Sequence, residues 1–373
     1  MSSTPQVLVD VEHVRSGVDA SLERHLEALG QELAGLGHDA AELVDAVRLM
    51  LEGGKRLRAA FCYWSWRAHG GQPDAAPHGV SRDSVLRIGA ALELFQAAAL
   101  FHDDVMDDSD TRRGRRSAHL RFADNHRELG WAGSSRRFGE SAAILLGDLA
   151  LIASEREFAS AVALLDVGVR ADAQRVFDTM RTEVTVGQYL DVLAQALPWA
   201  SDPPADEARA REVIRAKSAR YSVEHPIVLG AVLAGASHEQ VARCRTAGLA
   251  LGEAFQLRDD MLGVFGDPGA TGKPAGDDLR EGKRTVLVAR TLQRAPAEVS
   301  ANLVARLGDR TLDAEDIEEL RQDIVHSGAV AEVEELISAL GEPALGSIAA
   351  SALAEPGRSM LVDLGRVAIH RDA

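Results

Sequence analysis

From residue 78 to residue 197 the chain has no proline. A proline inside a helix deletes a backbone hydrogen bond and clashes with the turn before it, at a cost of about 3 kcal/mol. A run of this length without one admits helices well beyond the usual ~3–4 turns. Apolar residues recur at helical spacing in "SVLRIGAALELFQAAALFHDDVMDD", "ESAAILLGDLALIASEREFASAVALL" and "RVFDTMRTEVTVGQYLDVLAQAL". Further on, "RAREVIRAKSARYSVE" and "EQVARCRTAGLALGEAFQLRDDMLGVFG" are predicted helices, preceded and closed by the loops "PWASDPPADEA" and "GDPGATGKPAGDD". The segment "NHRELGWAGSSRRFGE", with Arg136 and Arg137, is predicted to be a solvated loop. No alternating pattern long enough for a strand and no fixed-period repeat is present. The expectation is one all-α domain over residues 1–373, with 1–20 as a loosely ordered extension.

Composition narrows the class. At 46% hydrophobic and 26% charged, the chain can bury a large core. Two cysteines, Cys62 and Cys244, make neither a zinc site nor a disulfide framework, which fits a reducing cytoplasm. The N-terminus lacks the basic start and apolar core of a signal peptide. No uncharged apolar run reaches the ~18 residues of a membrane span; Asp148 interrupts "SAAILLGDLALIAS". A soluble protein with no transmembrane segment is expected. A net charge of −16 argues against nucleic acid or an anionic membrane as main partner.

The stretch "HDDVMDDSDTRRGRRSAH" sets five aspartates against a row of arginines. On a helix Asp103 and Asp107 share a face, with Asp104 about 100° round. Such a run could be a solvated helix end. Two features weigh against that. It follows the apolar "LFQAAALF", and it lies at the C-terminal end of its helix, where the dipole disfavours carboxylates. Bound Mg²⁺ would relieve the repulsion, because it takes a few carboxylates and completes its shell with phosphate oxygens. Arg112 and Arg113 offer planar forks suited to phosphate. The missing third party is then a diphosphate carrying its own cations.

"FQLRDDMLGVFGD" repeats the theme with Asp259 and Asp260, and Gln256 one turn earlier. Lys273 and Lys283 lie on a Gly-rich stretch where backbone can approach phosphate. "GGKRLRAAF" places Lys55 and Arg58 three apart at the start of a helix. Singly, each could be an ordinary surface cation; together they suggest two diphosphate pockets, one with metal and one without. "GQYLD" adds Gln188 and Asp191, and "KSARYS" adds Lys217 and Ser218, which alone are as readily structural. His102 and His225 are expected to be packed or hydrogen-bonded.

"GGKRLR", "HDDVMDDSDTRRG", "GQYLD", "KSARYS", "FQLRDD" and "GDDLREGKRT" stand in one order along most of the chain. In that order the chain resembles the trans-isoprenyl (polyprenyl) diphosphate synthase family, most nearly its bacterial geranylgeranyl diphosphate synthases. DDxxD followed by RRG is a specific signal. The resemblance implies an α-helical bundle around a deep central cavity, as a homodimer, with the aspartate-rich helices facing each other across the mouth. It implies Asp103, Asp104 and Asp107 as ligands of Mg²⁺ on an allylic diphosphate, and Asp259 holding a further ion, three in all with substrate bound. Asp260 and Asp191 would support the metals. Arg112, Lys217, Gln256 and Lys273 would contact the allylic diphosphate, with Lys283 closing the site. Gly54, Lys55, Arg58, Gln96 and Arg113 would hold isopentenyl diphosphate.

Three positions depart from the family pattern. The second motif reads DDMLG, so Gly263 removes one carboxylate; Ala59 stands where proline is usual; Ser218 replaces threonine but keeps the oxygen.

The implied chemistry is a head-to-tail (1′-4) condensation of isopentenyl diphosphate with dimethylallyl, geranyl or farnesyl diphosphate. Fixed charges favour the departing diphosphate. The Lys217–Ser218 backbone and Gln256 stabilise the allylic cation, and the released diphosphate takes the proton. Chain length should follow the helix below Asp103. Ala98 and Ala99 leave room, and Phe95, eight residues back or about 12 Å along the axis, could form a floor compatible with C20. C15 or at least C25 are the alternatives. A class I terpene cyclase would need a different second motif and has no use for the Lys55/Arg58 pocket. Membrane prenyltransferases need several spans, and a non-catalytic synthase subunit would not require this full set of charges.

Overall fold

The structure is a computed structural model describing residues 10–199, 203–267 and 276–370. It is helical nearly throughout. In chain order the helices are α1 (Val14–Ala34), α2 (Ala41–Leu51), α3 (Leu57–Ala68), α4 (Arg82–Met106), α5 (Ala118–Glu128), α6 (Ser135–Val162), α7 (Val167–Ala196) and α8 (Pro203–Val213). A π-helical segment, Ile214–Glu224, follows, then α9 (His225–Leu233), α10 (His238–Phe265) and the short α11 (Asp277–Glu281). The chain continues with α12 (Val286–Arg294), α13 (Ala297–Arg306), α14 (Ala314–Ser327), α15 (Ala329–Ala349) and α16 (Gly357–Ile369). The proline-free region yields the long helices α4, α6 and α7, as its sequence requires.

Contacts divide the chain into two compact units. The first comprises residues up to Phe177, Pro226–Cys244 and Ser351–Leu364. Here α4 packs along α6, with α3 and α1 on its other sides. From Ala59 to Trp66, α3 is buried at every position, which marks a central helix rather than an amphipathic surface one. α4 belongs to the same core: one stretch of Pro77–Met106 has the length and hydropathy of a membrane span, but 72% of it is buried in the protein. Both cysteines are free and buried, and burial pushes the Cys244 thiol up to about 11.

The second unit comprises Asp178–His225, Arg245–Ala350 and the residues from Gly365 onward. α12 packs against α8 and α15, and α8 runs into the π segment.

Four expectations need correcting. The expected loop "PWASDPPADEA" gives way to helix from Pro203, where α8 begins with two prolines that its first turn tolerates. α1 begins inside the stretch expected to be a loose extension, because Val14 and Val18 are buried, only 0% and 1% exposed. The supposed loop around Arg136 and Arg137 is mostly helix. Ser134 caps α6 by accepting the Arg137 N–H, and the rings of Trp131 and Phe138 pack 5.3 Å apart across the short connection. Arg136 and Arg137 are nevertheless solvated on that first turn. Finally, "IRAKSARYSVE" winds as a π-helix instead of continuing α8, a form concentrated at functional sites.

Candidate active site

Asp103 and Asp104 lie in the last turn of α4, and Asp107 is its C-cap, with its N–H still donating to the Asp103 carbonyl over 2.8 Å. Asp104 is 1% exposed and Asp107 6%, so this is no solvated helix end. The chain then folds back as a two-residue hairpin, Thr111–Arg112 against Arg115–Arg116. Its turn residues Arg113 and Gly114 have φ of 54° and 72°. That is the left-handed geometry that matches strand twist in tight hairpins, and the glycine adopts it freely. Sequence patterning missed the hairpin because it is far shorter than any alternation can reveal.

The hairpin sends its two arginines to different partners. Arg112 Nε donates to Asp104 Oδ1 over 2.7 Å, and Nη2 lies 3.4 Å from Asp103 Oδ2. Arg113 Nη1 donates to the carbonyls of Met50 and Glu52, over 2.6 and 2.8 Å, at the end of α2. Burial pulls the Arg113 guanidinium below its ordinary value; Arg56, Arg112 and Arg58 pull the same way, while Glu93 opposes them. Three other guanidinium groups thus act on Arg113. A cleft of about 310 Å³ opens beside them, lined by Met50, Gly53, Phe101, Arg112, Arg113 and Arg121, among others. Gly54, Lys55, Arg58 and Gln96 are not among its lining residues. Gly54 nevertheless lies under the cluster: a Cβ there would be 2.5 Å from Arg56 Nη1 and 3.5 Å from Arg113 Nη1.

Arg56 is a residue that sequence reasoning passed over. It is 6% exposed, pairs with Asp19 at 2.8 Å and with Glu93 at 3.4 Å, and donates to the Leu51 carbonyl. Its role is to fix the loop that carries Gly54 and Lys55. The one available signal was its position inside "GGKRLR", between two residues already singled out.

In the second unit, Lys217 Nζ lies 2.6 Å from Asp191 Oδ2. The neighbouring Ser218 hydroxyl donates to Gln256 Oε1, and Gln256 Nε2 donates to Asp260 Oδ1 over 2.7 Å. The π segment therefore ties the "GQYLD" and "FQLRDD" motifs together through "KS". Gly187 makes this possible: a Cβ there would lie 2.4 Å from the Lys217 backbone nitrogen. Glu183 buttresses the segment by accepting from Arg220 at 2.8 Å and pairing with His225 Nε2 at 2.7 Å. His225 is a hydrogen-bonded core histidine, as expected, and His102 Nε2 bonds the Ile144 carbonyl at 3.1 Å.

Asp259 is exposed, whereas Asp260 is buried. Burial holds the Asp260 carboxyl well above the usual carboxylate range, reinforced by the negative charges of Asp278 and Asp259. Lys283 lies 3.4 Å from Asp278 Oδ1 and 2.8 Å from Glu281 Oε2. It follows the short helix α11, not an open loop. Lys273 lies outside the described residues.

These donors suit magnesium. Every candidate ligand is a hard carboxylate oxygen, and a divalent cation would offset the crowding that opposes ionisation of Asp260. Among the described residues no three His, Cys, Asp or Glu side chains converge enough to hold an ion alone. Mg²⁺ does not need that, since it binds through one or two carboxylates together with substrate phosphate and water. Below Asp103, Phe95 and Ala98 are buried, 5% and 2% exposed, and Ala99 is half-buried.

The polyprenyl synthetase family model matches residues 40–324. A geranylgeranyl diphosphate synthase from Mycobacterium tuberculosis is 31% identical over 300 residues, covering 79% of this chain and 75% of that one. A geranylfarnesyl diphosphate synthase from Aeropyrum pernix is 30% identical over 294 residues, covering 76% and 80%. The crystal structure of geranylgeranyl pyrophosphate synthase from Corynebacterium glutamicum, complexed with isoprenyl diphosphate and magnesium, superimposes with a TM-score of 0.89. It is 36% identical, over 96% of this chain and 98% of that one.

Proposed function

Since the chain belongs to the polyprenyl synthetase family and is a trans-prenyl diphosphate synthase, we propose that its product is geranylgeranyl diphosphate (C20). It condenses isopentenyl diphosphate with an allylic diphosphate. The observation that carries the chain length is the lower part of α4. Phe95 is buried there, and small residues at 98 and 99 separate it from Asp103. Likeness to two geranylgeranyl diphosphate synthases supports the same length, against the C25-type relative.

Asp103, Asp104 and Asp107 hold magnesium for the allylic diphosphate, with Asp259 and Asp260 holding a further ion and three ions bound in all. Bound magnesium supplies positive charge that draws electrons towards the departing diphosphate. Arg112, Lys217, Gln256, Lys273 and Lys283 orient that group, and Lys217 is itself held by Asp191. Gly54, Lys55, Arg58, Gln96 and Arg113 bind isopentenyl diphosphate, whose negative charge suits the four-guanidinium cluster. The backbone at Lys217–Ser218 and the Gln256 carboxamide present dipoles to the allylic cation. No side chain of the site serves as a dedicated base, so the released diphosphate takes the proton.

The enzyme works as a cytoplasmic homodimer of one synthase domain. In support, α6 exposes Ile144, Leu145 and Ile152 at 42%, 61% and 55%, an apolar stripe at helical spacing, and both thiols are free.

Incubation with isopentenyl diphosphate and each of dimethylallyl, geranyl and farnesyl diphosphate tests this reading. C20 diphosphate should accumulate from every primer. Hydrocarbon or alcohol would indicate a cyclase, C15 or C25 another chain length, and silence a non-catalytic subunit.

A further inference from the structure

Position 263 is where the second aspartate-rich motif ends in glycine instead of a carboxylate. A side chain built there would begin 1.9 Å from Asp278 Oδ2, 2.4 Å from its Cγ and 2.9 Å from its Oδ1. Unbonded heavy atoms do not approach so closely. The space that a residue at 263 would enter is therefore already filled by the carboxylate of Asp278, reaching in from α11.

We propose that Asp278 supplies the carboxylate that position 263 lacks, as a further carboxylate of the second magnesium site, which diphosphate and water complete. The proposal rests on the metal-binding reading of the Asp259 side given above, and adds a residue to it.

The placement of Asp278 is built rather than incidental. α11 is bracketed by Gly276 and Gly282, at φ of 71° and 77°, a left-handed conformation that glycine adopts at no steric cost. The Lys283 N–H donates to the Asp278 carbonyl over 3.0 Å, which closes the turn. The Asp278 side chain is 7% exposed. Burying a carboxylate is expensive unless it is compensated, and the Lys283 ammonium is shared with Glu281. Gly263 is then not a loss of function. It is the opening through which a carboxylate from a different element enters.

The simpler alternative is that Asp278 only anchors Lys283. The two differ in what they do to metal binding. The test uses Mn²⁺, which is visible by electron paramagnetic resonance, with the full-length protein and geranyl S-thiolodiphosphate, which does not ionise. Asp278→Asn keeps the shape and removes the charge. It should weaken binding of one Mn²⁺ by about 10–100-fold, the range for lost metal-site partners, and raise the Mg²⁺ concentration for half-maximal turnover. Lys283→Gln should weaken the thiolodiphosphate without reproducing that metal effect. The exchange variant Gly263→Asp/Asp278→Gly should recover Mn²⁺ affinity, whereas Gly263→Asp alone should not improve it.

An unchanged Mn²⁺ titration in Asp278→Asn would overturn the proposal, and so would an identical loss in Lys283→Gln. If the wild-type protein bound no Mn²⁺ with the thiolodiphosphate, the metal-binding reading itself would fail.

Discussion

Arg112 meets Asp104 through two nitrogens: Nε donates to Oδ1 over 2.7 Å, and Nη2 lies 2.5 Å from the same oxygen. Asp104 is almost wholly buried, so this guanidinium offsets much of the cost of placing a carboxylate there. A metal-bearing diphosphate would compete for both groups at once. Arg112→Ala should lower kcat/KM by about 10²–10³, the effect of deleting one preorganised donor. Arg112→Lys should recover only part of it, because an ammonium cannot reproduce the fork. Steady-state kinetics with the allylic substrate varied would show this; equal activity of the lysine and wild-type enzymes would refute the forked contact.

Asp260 gives the site a pH signature. Its folded carboxyl titrates well above its unfolded value of 3.8, chiefly through burial. Below that pH both states are protonated and there is no penalty. As pH rises, the unfolded chain loses its proton first, which favours unfolding until the folded carboxyl also ionises. In chelator-containing buffer Asp260→Asn should therefore be more stable than wild type at neutral pH, and the advantage should vanish below about pH 4. Denaturant titrations across that range measure it. Magnesium with a diphosphate should reverse the order, because the carboxylate then has a cation to meet.

Much of this architecture is legible in the amino-acid sequence. The long helices follow from the missing prolines, and the acidic ends of α4 and α10 from charge set against apolar runs. Three things are not legible there, each for a physical reason. The hairpin that separates Arg112 from Arg113 is only two residues per strand, too short for a period-2 pattern. The π segment at Lys217 packs closely against Gly187 of another helix, and local propensity does not encode that contact. The role of Arg56 depends on Asp19 and Glu93, both 37 residues away in sequence.

Gly187→Ala tests the π winding directly. The added Cβ would meet the Lys217 nitrogen at 2.4 Å and the Ala216 carbonyl carbon at 2.5 Å, both backbone atoms that cannot rotate aside. Overpacking of this kind costs about 1–3 kcal/mol. Activity should fall further than stability, since the displaced segment carries Lys217 and Ser218. Melting temperature and kcat measured together separate the two effects. A variant with the wild-type kcat would show that the close approach is not needed for turnover.

Leu145→Asp tests the apolar stripe on α6. Leu145 is 61% exposed, so the substitution disturbs no core packing. Light scattering should show the wild-type protein at twice the monomer mass and the variant at the monomer mass. A monomeric wild type would remove the argument for the homodimer.

Phe95→Ala tests the chain length. Phe95 lies two helical turns before Asp103, on the face continued by Ala98 and Ala99, and is 5% exposed. On the proposed C20 reading, a prenyl chain growing from Asp103 along this face passes the small Ala98 and Ala99 before it reaches that ring. Truncation to alanine removes the obstacle, and the product should shift from C20 to C25 and longer. The opposite change, Ala99→Phe, should stop growth near C15, because bulk one turn from the acidic motif leaves room for fewer isoprene units. Both spectra are read by chromatography of the dephosphorylated products at equal turnover. If Phe95→Ala leaves the distribution unchanged while Ala99→Phe shortens it, α4 carries the growing chain but the floor belongs to another helix. If neither variant changes it, the chain does not grow along α4.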